Sequence, residues 1–234
     1  MHNLPIIAFL PCRAGSERVV NKNTRSFANQ PYGLTGLKIK QLVSTKCVDQ
    51  IVLSSNDSKV FEIAQAVIGR DSRLVLVQRP EQWCTASTST DDLIIHALSC
   101  IQEGVMLWTH VTSPFIGGDD YTEMIEAYFS ARRHGTHDSL ATVTVIQKFL
   151  WNGAGPINYD RKVEKWPRTQ TLKPIYELNS GAFIVDVSLG RILHDRIGEK
   201  PLLFPLSSRK GFDIDWEEDF AIAENMYGAI GPLY

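Results

Sequence analysis

The sequence predicts an α/β protein in which a mainly parallel sheet carries helices on both faces. Two features carry that expectation. Short apolar runs of strand length recur along the first two thirds of the chain, and stretches with apolar residues at i, i+3, i+4 and i+7 stand between them. Strands that alternate with helices build a parallel sheet, because a parallel neighbour needs a crossover long enough to hold a helix. The length of 234 residues, with 44% hydrophobic and 21% charged, suffices for one full core, so residues 1–234 read as one domain.

The first run, Ile6-Ile7-Ala8-Phe9-Leu10, ends in Pro11 and a glycine-containing loop. Ile51 to Ser54, Leu74 to Val77 and Val105 to Trp108 have the nearly all-apolar character of strands covered on both faces. Val60, Ile63, Ala64 and Val67 form one face of a helix; Ile94, Ala97, Leu98 and Ile101 form a second, and Tyr121, Met124, Ile125 and Tyr128 a third. Another strand is expected at Leu140 to Ile146, after which periodicity stops. Residues 147–178 are rich in Trp, Tyr, Pro, Asn and Gly. That is too long for a structureless loop, so an inserted arm or partner surface is expected there. Order resumes with Ala182 to Val185 and Leu202 to Leu206. Asp215 and Glu218 are spaced as the capping box of a last helix.

A net charge of −2 argues against a general nucleic-acid binder, which needs a surplus of Lys and Arg, yet allows one small anionic ligand held by local cations. No apolar run is long enough to span a bilayer. Leu4 to Leu10 has no basic residue before it and charges soon after, so it reads as a buried strand and not as a secretory signal. Cys12, Cys47, Cys84 and Cys100 lie far apart with no CxxC pair, neither a zinc pattern nor a disulfide framework. Reduced thiols, and hence a cytoplasmic protein, are the simplest reading.

The loop after the first strand is the first candidate site. Arg13, Arg18, Lys22 and Arg25 bring four cations close together around Ala14, Gly15 and Ser16. Ligands of parallel α/β sheets sit at the carboxyl ends of strands, and backbone N–H groups of such a turn can face an anion. A triphosphate cradle and a solvated basic loop account for the composition equally well. The loop is neither a Walker A nor a GxGxxG motif, since the required glycines and the GK[ST] ending are missing.

Arg13-x-Gly15-Ser16 followed by Lys22-Asn23 resembles the signature loop of the acylneuraminate cytidylyltransferases, the CMP-sialic acid synthetase family. Ser54-Ser55-Asn56-Asp57 resembles that family's S-T-D turn, and Arg79-Pro80 with Thr85 to Thr90 its R-P segment. Thr112-Ser113-Pro114-Phe115 is similar to its Q-P-T-S-P-L, Asn179-Ser180-Gly181-Ala182-Phe183 to its N-G-A strand entry, and Phe212 to Phe220 to its D-I-D-T-E-E-D-F. Each motif is weak alone; six in the same order are specific. The resemblance implies a nucleotide-diphospho-sugar transferase fold of Rossmann-like type, a homodimer joined through the arm, and transfer of CMP from CTP to a sialic-acid-like nonulosonic acid with Mg²⁺.

Those implications fall on particular residues. Asp213 and Asp215 leave one face of an extended segment, and two hard oxygen ligands suit Mg²⁺. By spacing alone an N-cap and a surface acid explain the pair better; the resemblance favours the metal. It also assigns Arg13, Lys22, Ser16, Asn23 and the loop backbone at Ala14 and Gly15 to the triphosphate, and Arg79, Thr88 and Thr90 to cytosine. Capping the helix before Ile94 is the bland role for both threonines. His110, Gln170, Tyr176 and Asn179 are the sugar-contact candidates, with ordinary structural hydrogen bonding as the alternative.

The match departs at Glu17, Arg18, Asn56, His110 and the extra Ser180. These leave the identity of the sugar open, although Lys22-Asn23 argues against a Kdo enzyme, whose loop typically ends Lys-Pro. His134-x-x-His137 suggests a metal pair but reads better as a solvated helix end, and Phe149, Trp151, Tyr159 and Trp166 read as dimer contacts or pocket wall and not as a base-stacking platform. A glycosyltransferase would carry a DxD after the central strand, and Trp108 to Pro114 has no acid; the G-x-G-T-R-L loop of sugar-1-phosphate nucleotidyltransferases is also missing. A nucleotide-binding relative without turnover is the non-enzymatic alternative. Retention of Arg13, Lys22, Asp213 and Asp215 favours the enzyme.

Overall fold

The computed structural model describes residues 4–16, 18–69, 71–85 and 87–233. Its centre is a seven-stranded sheet in the order β3-β2-β1-β4-β8-β5-β9, formed by β1 (Ile6–Pro11), β2 (Gln50–Ser55), β3 (Leu74–Gln78), β4 (Val105–Trp108), β5 (Ser139–Ile146), β8 (Ile175–Asp186) and β9 (Pro201–Leu206). β1 to β4 are mutually parallel, as are β5 and β9, whereas β8 runs antiparallel to both β4 and β5. The expected mainly parallel α/β sheet is therefore present, with one reversed strand. A two-residue-per-strand hairpin of β6 (Trp151–Asn152) and β7 (Gly155–Pro156) stands apart from it.

Strand alternation divides the core in two. Ile6, Ala8 and Leu10 of β1 face one layer, formed by α1 (Gly33–Ser44), α2 (Ser58–Ile68), α4 (Gly118–Arg133) and α6 (Glu217–Ile230). Ile7 and Phe9 face the other, where α3 (Thr90–Cys100) and the short α5 (Val187–Leu193) pack. Phe9 and Trp108 are fully buried, with ring centroids 5.0 Å apart. Truncating a side chain so placed costs on the order of 3–5 kcal/mol, so this pair anchors the second layer.

The three expected helical stripes are α2, α3 and α4, and their periodic residues supply the buried faces. α1 and α5 carried no such signal. α1 is buried nearly all round, with Lys38 and Gln41 in the interior and Gly33 and Gly36 at close contacts, so no apolar stripe marks it. A Cβ on Gly36 would come within 2.4 Å of the Tyr32 Cβ.

Two boundaries differ from expectation. The arm ends sooner: β8 starts at Ile175, and a 3-10 turn occupies Thr169–Thr171. The last helix begins at Glu217, and its capping carboxylate is Asp219, which accepts from the Trp216 and Asp215 amides at 2.8 and 3.0 Å. An Asp215–Glu218 box does not form, because the Asp215 carboxylate is engaged by Arg18.

Candidate active site

Four parallel strands end at the same rim of the sheet: β1 at Pro11, β2 before Asn56, β3 before Arg79 and β4 at Trp108, two residues before His110. The loop after β1 is tied at both ends. The Cys12 amide donates to the Ser54 carbonyl (2.9 Å), and the Asn23 side chain donates to the Arg13 carbonyl (3.1 Å). Gly15 lies between at φ +72°, a left-handed conformation that glycine adopts without steric cost.

Asn56 explains itself at this rim. Its Oδ1 accepts from the Ala14 amide at 2.9 Å, and its Nδ2 donates to the Glu81 carboxylate at 3.3 Å. An aspartate there would keep the first bond and turn the second into repulsion.

These elements enclose a cavity of about 460 Å³. Of the residues singled out from the sequence, Arg13, Ser16, Lys22 and Asn23 line it on the loop side. Arg79, His110, Asp213 and Asp215 line it on the strand side. Arg18, one of the four loop cations, also lines it, as do Thr112 and Ser180, which had been given no role. The signal for Ser180 was its status as an extra residue in the motif: its hydroxyl donates to Asp213 Oδ2 at 2.8 Å.

The carboxylate segment is held from three sides. The Ile214 amide donates to the Thr112 carbonyl (3.0 Å), the Ile214 carbonyl accepts from Lys22 Nζ (2.7 Å), and Ser180 holds Asp213. Asp213 Oδ1 is buried and has no hydrogen-bond partner among the described residues, which is costly for a carboxylate oxygen unless a cation meets it. Asp215 Oδ1 pairs with Arg18 at 2.8 Å, and Arg18 stacks over the Trp216 ring at 5.0 Å. Burial lowers the Lys22 amine from its ordinary value, partly offset by Asp213 and Asp215. Among the described residues no group of three or more His, Cys, Asp or Glu side chains could hold a metal, so a cation here would take its remaining ligands from substrate and water. That donor set fits a hard divalent ion.

Arg79 is buried, 2% exposed, and forms no ion pair among the described residues. Its Nε donates to Ser54 Oγ (3.2 Å) and its Nη2 to the Ser54 carbonyl (2.7 Å), while His96 Nε2 bonds the same hydroxyl at 2.8 Å. A buried guanidinium held only by neutral acceptors keeps donors for a ligand carbonyl or ring nitrogen. His110 Nε2 accepts from the Trp108 indole at 2.8 Å, so the ring proton sits on Nδ1. Burial, with Arg196, Lys38 and Lys22 nearby, pushes this imidazole down to about 3, so it is a neutral donor.

The other candidates lie outside the cavity. Thr88 bonds within the exposed 85–88 turn, and Thr90 merely opens α3, whose cap is Ser89. Gln170 sits on the exposed 3-10 turn and Tyr176 is half exposed on β8. Asn179 spends its amide on the sheet: Oδ1 accepts from Thr142 Oγ1 (2.6 Å) and the Gly181 amide (3.2 Å), and Nδ2 donates to Thr144 Oγ1 (3.1 Å). Ala14 and Gly15 contribute loop backbone, and Glu17 lies outside the described residues. His134 and His137 bond Ser130 and Thr136 at the end of α4. All four cysteines are free, and no described helix is long and apolar enough to cross a membrane.

Comparison with known proteins gives a consistent picture. The family model described as cytidylyltransferase matches residues 7–162. A pseudaminic acid cytidylyltransferase of Campylobacter jejuni is 27% identical over 97% of this chain and 97% of its own. A CMP-N,N'-diacetyllegionaminic acid synthase of Legionella pneumophila is 26% identical over 94% and 95%. An N-acylneuraminate cytidylyltransferase of Escherichia coli is 26% identical over 93% of this chain but only 51% of its own length. Among solved structures, a CMP:2-keto-3-deoxy-manno-octonic acid synthetase complexed with CTP superposes with a TM-score of 0.63 at 13% identity, covering 95% of this chain and 98% of that one, a likeness of fold.

Proposed function

The chain belongs to the cytidylyltransferase family, and from that premise we propose that it transfers CMP from CTP to the anomeric hydroxyl of a sialic-acid-like 2-keto-3-deoxy nonulosonic acid, releasing pyrophosphate. The observation that carries this reading is the convergence in one cavity of the loop cations Arg13 and Lys22, the unpaired Arg79 and the carboxylates Asp213 and Asp215. Pseudaminic and N,N'-diacetyllegionaminic acid, named in relatives that align along nearly the whole chain, support an acidic sugar as acceptor.

In this reading Arg13, Lys22, Ser16 and the backbone at Ala14 and Gly15 hold the triphosphate, with Asn23 fixing the loop. Arg79 meets the cytosine edge through the donors that Ser54 leaves free. The sugar hydroxyl oxygen bonds to the α-phosphorus, the bond to the bridging oxygen breaks with its electron pair leaving on pyrophosphate, and the hydroxyl proton is released. Positioning and charge cancellation supply most of the acceleration in such transfers. Asp213 and Asp215 would hold Mg²⁺, which neutralises charge on the phosphates when bound. His110 offers its Nδ1–H to the sugar.

The chain reads as one cytidylyltransferase domain, cytoplasmic, whose arm before Ile175 meets a second copy. Trp166 and Val163 are 65% and 85% exposed there, and such apolar exposure suits an interface. A Val163→Asp chain is expected to sediment as a smaller species than the unmodified one.

The test of the reaction is pyrophosphate release with CTP, Mg²⁺ and a panel of nonulosonic acids, each repeated with ATP, GTP and UTP. Release confined to CTP with one of these acids is the expected result. Equal release with UTP, or no binding of CTP, would overturn the reading.

A further inference from the structure

Lys38 is the only lysine among the described residues with a fully buried side chain, at 0% exposure, in the middle of α1. No carboxylate among the described residues pairs with it. Asp120, whose charge acts on it, is engaged by Lys210 and by the Gly117 amide. Nζ has two acceptors, the Ser113 carbonyl and Tyr121 Oη, both at 2.8 Å. Two acceptors match the two N–H groups of a neutral amine, and burial pushes this amine down to about 7.

The bonds continue in one direction. Tyr121 Oη lies 2.7 Å from Thr109 Oγ1, and that hydroxyl donates to the Gly181 carbonyl at 2.7 Å. One turn along α1 from Lys38, Gln41 Nε2 donates to the Pro114 carbonyl at 2.7 Å. The network therefore grips the backbone at Ser113 and Pro114 on one side and at Gly181 on the other.

Each grip lies next to a support of the carboxylate segment. Thr112, beside Ser113, receives the Ile214 amide. Ser180, beside Gly181, holds Asp213 Oδ2.

We infer that Lys38 is a positioning residue for Asp213 and Asp215, acting through the peptide groups at Ser113 and Gly181. Its hydrogen bonds go to the Ser113 carbonyl and to Tyr121, and to neither carboxylate. The inference rests on the proposed role of the pair in holding a divalent cation.

The experiment measures, by calorimetry without sugar, the factor by which Mg²⁺ strengthens CTP binding. Groups that orient metal ligands change metal affinity by about tenfold to a hundredfold when removed. Lys38→Met is expected to cut the Mg²⁺ factor by at least about tenfold while CTP affinity without metal changes little. Thr109→Val, which removes the hydroxyl bridge with little change of shape, is expected to lower it in the same direction and serves if Lys38→Met does not fold. Leu34→Ala, a cavity in the same helix, should lower the melting temperature yet keep the factor, since damage to α1 alone does not reach the carboxylates.

A wild-type chain whose CTP binding ignores Mg²⁺ would sink the metal reading itself. A wild type that responds, with a folded Lys38 or Thr109 variant keeping the full factor, would overturn the positioning role alone. A fall in the factor for Leu34→Ala equal to that for Lys38→Met would likewise overturn it, by showing a merely structural effect.

Discussion

Lys22 Nζ donates at 2.7 Å to the carbonyl of Ile214, the residue that separates Asp213 from Asp215. The cationic loop after β1 and the acidic segment before α6 are thereby tied by one bond across the cavity. Its geometry leaves two further N–H groups on the amine for a phosphate.

Lys22→Met removes both the tie and the charge while retaining much of the aliphatic stem. Turnover should fall by about a hundredfold or more, in line with loss of a preorganised charge-stabilising donor, and the Mg²⁺ needed for half-maximal rate should rise. Steady-state rates across a Mg²⁺ series check this. An unchanged Mg²⁺ requirement would mean that the tie does not matter to the acidic segment.

Asp215 offers a separation of stability from chemistry. Its pair with Arg18 is about half exposed on both sides, and pairs so exposed contribute little to folding. Asp215→Asn should therefore leave the melting temperature almost unchanged and nearly abolish pyrophosphate release at fixed Mg²⁺. Near-normal turnover would remove Asp215 from the metal site.

Asn56 and Glu81 make a reciprocal test. Asn56→Asp keeps an acceptor for the Ala14 amide but places two carboxylates at a contact now 3.3 Å long, beside the loop. Like charges near 4 Å in a wet site repel by about 1 kcal/mol, so CTP KM should rise roughly fivefold. Adding Glu81→Gln should restore it, and failure of the double variant to recover would break the explanation.

His96 sets an acid limit. Burial, with Arg79 beside it, pushes its imidazole down to about 4 in the folded chain, against the ordinary value of 6.5. Below the ordinary value the unfolded chain takes up a proton that the folded chain refuses, so stability present above about pH 6.5 is lost as pH falls toward 4. His96→Gln removes that titration, and its melting temperature should decline less steeply than the wild type between pH 6.5 and 4.5. Parallel slopes would show that other groups govern acid unfolding.

The strands of the parallel half and helices α2, α3 and α4 were legible because two-sided burial and one-sided burial leave different periods in a sequence. α1 was not, since its interior is filled by two glycines and by Lys38 and Gln41, whose acceptors at Ser113 and Pro114 lie far along the chain. The cavity wall at Arg13, Lys22, Arg79, Asp213 and Asp215 could be read from residue type and motif order. Asn179 misled because an amide near a site looks the same in sequence whether it faces a ligand or bridges two threonines. Ser180 went unassigned for the opposite reason: one inserted residue gives no hint of which carboxylate it will meet.

The reversed strand β8 has one more consequence. It leaves the arm at Ile175 and reaches Ser180 halfway along, so the two regions share one backbone. Between them its pairing with β5 slips register at Ala141/Val143, where the Asn179 amide is locked to Thr142 and Thr144. That lock acts as a firewall. Insertions, deletions or wholesale exchange of the stretch before Ile175 should therefore leave the chemistry beyond it untouched, because a change of shape on one side of the lock has no rigid path to the other.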